Sequence, residues 1–79
     1  MARKKARPDV RERFGDAVRA CREGQGLTQE ALAGQAGIHR TYLSDVERGT
    51  RNVSLVNIEK LAAALKTTMA ELMRVAEGG

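Results

Sequence analysis

Apolar residues recur along most of this chain at spacings of three and four, the period of a helix with one buried face. No alternating run of β-branched residues interrupts the pattern, so strands are not expected. Val10, Phe14, Ala17, Val18 and Cys21 mark the inner face of a first helix from about Asp9 to Gly24, entered at Pro8 and ended by Gly24 and Gly26. Thr28 suits the N-cap of a second helix, about Gln29 to Gln35, with Glu30 in its first turn and Leu32, Ala33 and Ala36 inside. Gly37 breaks it. A third helix, about Arg40 to Arg48, turns Leu43 and Val46 inward and stops at Gly49. Ser54 caps a fourth, about Leu55 to Leu65, with Leu55, Ile58, Leu61, Ala62 and Leu65 as its inward set. Thr68 and Glu71 have capping-box spacing for a fifth, Met69 to about Ala76. Glu77-Gly78-Gly79 should fray. The pattern predicts an all-α fold of five short helices, with residues 9–79 as one domain behind a flexible basic arm at residues 1–8.

Composition narrows this picture. A chain of 79 residues buries only a modest core, so self-association is expected to add stability. Phe14 and Tyr42 are the only aromatics, leaving Leu, Ile, Val, Ala and Met to fill the interior. The single cysteine, Cys21, excludes an internal disulfide, fits a cytoplasmic protein and reads as a packing residue on an apolar face. No apolar run approaches the roughly 20 residues that span a bilayer, so no membrane partner is expected. The basic start is not followed by an apolar segment and does not read as a signal peptide; the sequon Asn52-Val53-Ser54 is then a coincidence. His39 is the only histidine and has no cysteine or acid cluster beside it, which argues against a metal site. Gly24 and Gly26 lack the rest of a phosphate-loop pattern, and no pair of catalytic groups is placed together. No enzyme activity, no cofactor and no small-molecule ligand are expected.

The net charge of +4 misleads if taken whole. Arg3, Lys4, Lys5 and Arg7 supply it before Pro8, and from Asp9 onward ten bases balance ten acids. The charge is therefore evidence for a basic arm, either a solubility tag or a phosphate- or groove-binding extension, and not for a DNA-binding face on the body.

That evidence comes from Gln29–Arg48. A helix-turn-helix needs a small residue where its two helices cross, a residue tolerant of positive φ in the turn, and apolar residues holding the unit to the core. Counted from Gln29, the fifth position is Ala33 and the ninth is Gly37. The fourth, tenth, fifteenth and eighteenth are Leu32, Ile38, Leu43 and Val46. All six demands are met in register.

With those residues in place, LTQEALAGQAGIHRTYLSDVERGTRN resembles the Cro/repressor (XRE-type) helix-turn-helix family over residues 13–76. RTYLSDVERGTRN is similar to the controller proteins that time restriction–modification genes. The resemblance implies a five-helix, lambda-repressor-like DNA-binding domain with its second and third helices as the helix-turn-helix. Gln29 is then expected to contact phosphate and brace the recognition helix. Arg40, Thr41, Ser44 and Asp45 are expected in the major groove, with Arg40 shaped for a bidentate bond to guanine O6 and N7. Tyr42 and Arg48 belong to the same face, and Tyr42 is within reach of the DNA backbone. Arg51 and Asn52 should flank the groove. Arg22 and Glu47 match a pair that forms a structural salt bridge in the family. Asp45 is open to three readings: a cytosine contact, a partner for Arg48 or Arg40, or a charge that repels wrong sites. His39 stands where the recognition helix usually has Ser, Thr or Asp as N-cap; a histidine caps poorly, and a phosphate contact is its alternative role.

Of Met69, Leu72, Met73 and Val75, Leu72 and one methionine are expected to complete the monomer core and the rest to leave an apolar patch, so the fifth helix, aided by the end of the fourth near Leu65, is expected to form a two-fold dimer interface. Two recognition helices would then sit roughly 34 Å apart, one DNA turn, on a palindromic operator in double-stranded DNA. The expected function is a homodimeric transcriptional regulator controlled by its own concentration. An antitoxin-type autorepressor and a protein-interaction adaptor on the same fold are the alternatives.

Overall fold

Hydroxyl and carboxylate caps start four of the five helices of the computed structural model, which describes residues 8–78. Helix α1 spans Val10–Gly24 and opens on a full capping box. Asp9 is its cap, and its backbone N–H donates to Glu12 Oε1 at 3.2 Å. Helices α2 (Gln29–Ala36), α4 (Leu55–Ala64) and α5 (Met69–Ala76) start on Thr28, Ser54 and Thr68, whose hydroxyls accept from Ala31, Asn57 and Glu71. The capping box expected at Thr68 is half made, because the Glu71 carboxylate turns to Arg74 instead. Helix α3 spans Arg40–Arg48, and its cap position His39 makes no side-chain cap hydrogen bond, as its chemistry implied. The basic arm expected at residues 1–8 lies outside the described residues except for Pro8.

Helix ends follow backbone sterics. Gly37 (φ +72°) and Gly49 (φ +78°) take the left-handed conformation that closes α2 and α3. After α4 the same conformation falls on Lys66 (φ +60°), where no glycine is available.

One core joins all five helices: Phe14 and Val18 of α1, Leu32 of α2, Leu43 and Val46 of α3, Leu61 and Ala62 of α4, Leu65 beyond it, and Leu72 and Ala76 of α5. Cys21 packs against this core, half-buried. Helix α1 lies across both α3 and α5, while α2 packs on α3 and α4. Two expected core residues face out. Val10 is 49% exposed in the first turn of α1, and Leu55 is 71% exposed at the start of α4. Both sit at helix starts, where the chain has not yet reached the packed layer. Conversely, Leu65 and Leu72, expected at a dimer interface, are buried in the protomer's own core and offer no side-chain surface to a partner. Five short helices enclose so small a volume that these leucines are needed inside.

The α1–α3 crossing is closer than side chains allow. A Cβ on Gly15 would lie 2.8 Å from the carbonyl oxygen of Glu47 and 2.9 Å from its carbonyl carbon, so backbone meets backbone there. Gly49 adds a second close approach: its Cβ would meet Glu12 Cγ at 2.7 Å and Glu12 Cα at 2.8 Å. Gly34 in α2 is the control, exposed and with nothing within 4 Å of a built Cβ. Gly15→Ala should therefore lower stability by about 1–3 kcal/mol or more, the cost of overpacking a crossing that cannot give. Gly34→Ala should raise it by about 0.4–1 kcal/mol through the unfolded chain's lost freedom. Urea denaturation of the two variants checks the opposite signs.

Candidate nucleic-acid interface

The recognition helix is held from behind by one buried carboxylate. Glu47, on the inner side of α3, has a side chain only 4% exposed. Arg22 of α1 meets it with two bonds, Nε to Oε2 at 2.7 Å and Nη2 to Oε1 at 3.0 Å. Gln29, the first residue of α2, donates from Nε2 to Oε1 at 2.9 Å. Arg22 also donates from Nη1 to the Leu27 carbonyl at 2.9 Å, so each of its three nitrogens makes a hydrogen bond. The hydrogen bond to Glu47 holds the Arg22 guanidinium above the usual arginine range. Three helices thus converge on one side chain. Arg22 and Glu47 pair in the structure, and Gln29 bonds the same carboxylate from the start of α2.

The outer side of α3 divides in two. At its N-terminal end Arg40 and Thr41 are exposed, and neither side chain has an ion pair or hydrogen bond among the described residues. Arg40 and Gln29 line one open groove of about 620 Å³ together with Arg22, Thr28 and Glu30. His39 is exposed beside it.

Toward the C-terminal end the side chains are bonded to one another. Arg48 donates from Nη1 to Ser44 Oγ at 2.8 Å and from Nη2 to Asp45 Oδ1. Arg51, from the following loop, donates from Nε to Asp45 Oδ2 at 3.2 Å. Its guanidinium lies 5.1 Å from the centroid of the Tyr42 ring, in cation–π range. The Tyr42 hydroxyl accepts from Asn57 Nδ2 of α4 at 3.1 Å, which fixes the ring. Asn52 is exposed in the same loop. Of the expected interface residues, Tyr42, Ser44, Asp45, Arg48 and Arg51 form this one cluster, while Gln29 and Arg40 share the first groove. Among the readings open for Asp45, pairing with Arg48 is observed. Its second partner is Arg51, not Arg40.

Sequence reasoning missed three supports. Asn57 behind Tyr42 carried no sequence signal, since the two are 15 residues apart on different helices. Gln25, just past α1, donates from Nε2 to the Leu65 carbonyl at 2.7 Å and ties α1 to the end of α4. The third is Gly15. A lone glycine inside an amphipathic helix is a legible anomaly, because it costs about 1 kcal/mol against alanine and needs a packing reason.

No cluster of three or more His, Cys, Asp or Glu side chains is placed to hold a metal among the described residues, and no helix there is long and apolar enough to cross a membrane. What the surface offers is an exposed arginine at the start of an outward helix, with further cations along it, all mounted on a rigid two-helix unit. That is the class of a helix-turn-helix DNA-binding domain.

The comparisons are specific about which one. A helix-turn-helix family model matches residues 18–72. Control protein C.MunI from Mycoplasma sp is 48% identical over 65 residues, covering 81% of this chain and 88% of the relative. Control protein C.BamHI from Bacillus amyloliquefaciens is 48% identical over 66 residues, covering 82% of each chain. The crystal structure of the restriction–modification controller protein C.AhdI from Aeromonas hydrophila superposes with a TM-score of 0.77 at 52% identity, covering 78% of this chain and 94% of that one. The chain belongs to the XRE-type helix-turn-helix family and is closely related to the restriction–modification controller proteins. It is a DNA-binding transcriptional regulator of that type, and these relatives are controllers, not enzymes.

Glu47 is the point at which this mounting is most easily broken. Glu47→Ala leaves the guanidinium of Arg22, whose side chain is 11% exposed, without its carboxylate, and should cost about 3–5 kcal/mol. Gln29→Ala, which removes one hydrogen bond, should cost about 0.5–1.5 kcal/mol. Chemical denaturation of both variants measures the difference.

Proposed function

We propose that the protein binds a palindromic operator as a homodimer, with α3 in the major groove, and regulates transcription through its own concentration. The observation that carries this reading is the position of Arg40. It is an exposed cation with no carboxylate partner among the described residues, at the N-terminal end of the second helix of a helix-turn-helix. That end of a recognition helix is the one that reaches base edges, and an arginine there fits guanine bidentately. Gln29 opens onto the same groove, and Arg51 and Asn52 flank the far end of α3. The chain's likeness to control proteins C.MunI and C.BamHI and to the restriction–modification controller protein C.AhdI fits a regulator of this kind.

Dimer formation is supported by the apolar surface the protomer leaves open. With Leu65 and Leu72 spent inside, the interface we propose draws on Met69, Met73 and Val75, each half-buried on α5. Leu55 and Val56, 71% and 60% exposed at the start of α4, are further apolar side chains the protomer leaves uncovered.

Selection of bound sites from random DNA should return a palindrome whose half-sites lie about one helical turn apart. Arg40→Ala should lose about 1–3 kcal/mol of preference at one base pair of each half-site, with binding to random DNA little changed. Retention of full sequence preference would overturn the assignment. Sedimentation at micromolar concentration should show a dimer that Met73→Glu or Leu55→Glu converts to a folded monomer; a wild-type monomer with and without selected DNA would refute the dimer.

A further inference from the structure

The cations on the outer side of α3 are not equivalent. Arg40 stands alone, whereas Arg48 and Arg51 share the two oxygens of a single carboxylate. That carboxylate, Asp45, has a side chain only 18% exposed, although it lies on the side of α3 opposite the core. Each arginine has a second anchor that keeps it there. Ser44 Oγ takes Arg48 at 2.8 Å, and the Tyr42 ring, fixed by Asn57, lies against Arg51. The cluster carries a net charge of +1 where its two arginines alone would carry +2.

Attraction to DNA of any sequence grows with the number of phosphates that cations neutralise. An arginine already facing a carboxylate must exchange it for phosphate, and the carboxylate left behind then repels the same backbone. On an arbitrary duplex nothing offsets that exchange. On a matching site, base-edge contacts from the free end of α3 do.

We propose that Asp45 is a positioning residue, a latch that withholds Arg48 and Arg51 from phosphate and so keeps the protein from holding DNA that offers it no compensating base contacts. This inference rests on the operator-binding function proposed above. It assigns Asp45 no base contact. It also divides the work along α3: Arg40 reads base edges, and Arg48 and Arg51 reach phosphate only where such contacts offset the loss of Asp45.

The test compares wild type with Asp45→Asn and Asp45→Ala on two probes, a mixed-sequence duplex and the duplex that wild type selects from random DNA. On the mixed-sequence duplex both variants should bind about tenfold tighter near 0.1 M salt, and the slope of log K against log salt should steepen by about 1 for each arginine released. On the selected duplex affinity should rise by at least a similar factor, because the exchange cost is no longer subtracted from the base contacts there, while the salt slope changes less, since those arginines already reach phosphate in wild type. Arg51→Ala should leave mixed-sequence binding of wild type nearly unchanged, yet reverse part of the gain in the Asp45→Asn background. A purely structural role for Asp45 would move the thermal midpoint without moving the salt slope. An unchanged slope and unchanged mixed-sequence affinity in both variants overturns the latch. So does loss of preference at one base pair with random binding intact, which would make Asp45 a base reader. If wild type selects no sequence, and Arg40→Ala alters no DNA binding, the operator reading itself has failed and the latch falls with it.

Discussion

A carboxylate nearly sealed from water holds this domain in its working shape. Glu47 faces inward from the helix that must face outward, and it is held there by the two-pronged guanidinium of Arg22 and the amide of Gln29. Burying such a charge is unfavourable unless every oxygen is used, so the arrangement tolerates little drift. Since its partners come from α1 and α2, satisfying Glu47 fixes the position of both against α3. The Gly15 crossing operates on the same turn: the backbone of α1 reaches the carbonyl of Glu47 because no side chain intervenes. An electrostatic tie and a steric minimum therefore act at one place. Arg40, Thr41, Ser44 and Asp45 inherit their orientation from it.

Much of this architecture was legible because its signals are local. Thr28, Ser54 and Thr68 cap where the apolar period restarts, and Gly37 and Gly49 stand where the chain must enter the left-handed region. Those are one-residue chemical requirements, visible in a string of letters. What escaped depends on the third dimension. Val10 and Leu55 keep helical phase with buried residues, yet they sit one turn short of anything to pack against. Lys66 takes a glycine-like conformation because α4 must end there to deliver Leu65 to the core, and nothing in a lysine announces that. Leu65 and Leu72 read both as core and as dimer interface, because periodicity reports an apolar face without saying whether the same protomer covers it; the protomer's own core takes both.

The interface was legible to a different degree. Its members were named from a family resemblance, while their relations to one another were not. Residue spacing puts Asp45 near Arg48, one helical turn on, but Arg51 returns through a loop whose course the sequence does not specify. The Arg51–Tyr42 stack depends likewise on Asn57, a residue on another helix with no pattern to mark it. Charge counting was the least informative signal of all. The body of the domain is neutral, and the arrangement of its cations, not their number, distinguishes one end of α3 from the other.

The backbone contact at Gly15 has an evolutionary consequence. Spacing between α1 and α3 is set by main-chain atoms and by residues on the inner side of α3, namely Leu43, Val46 and Glu47. The outer positions take no part in that fit. Divergence can accordingly exchange the outer residues as a cassette, giving sister proteins that answer to different genes while sharing an unaltered chassis. A bacterium acquiring a second such regulator would need only a few codon changes to keep the two circuits from crossing.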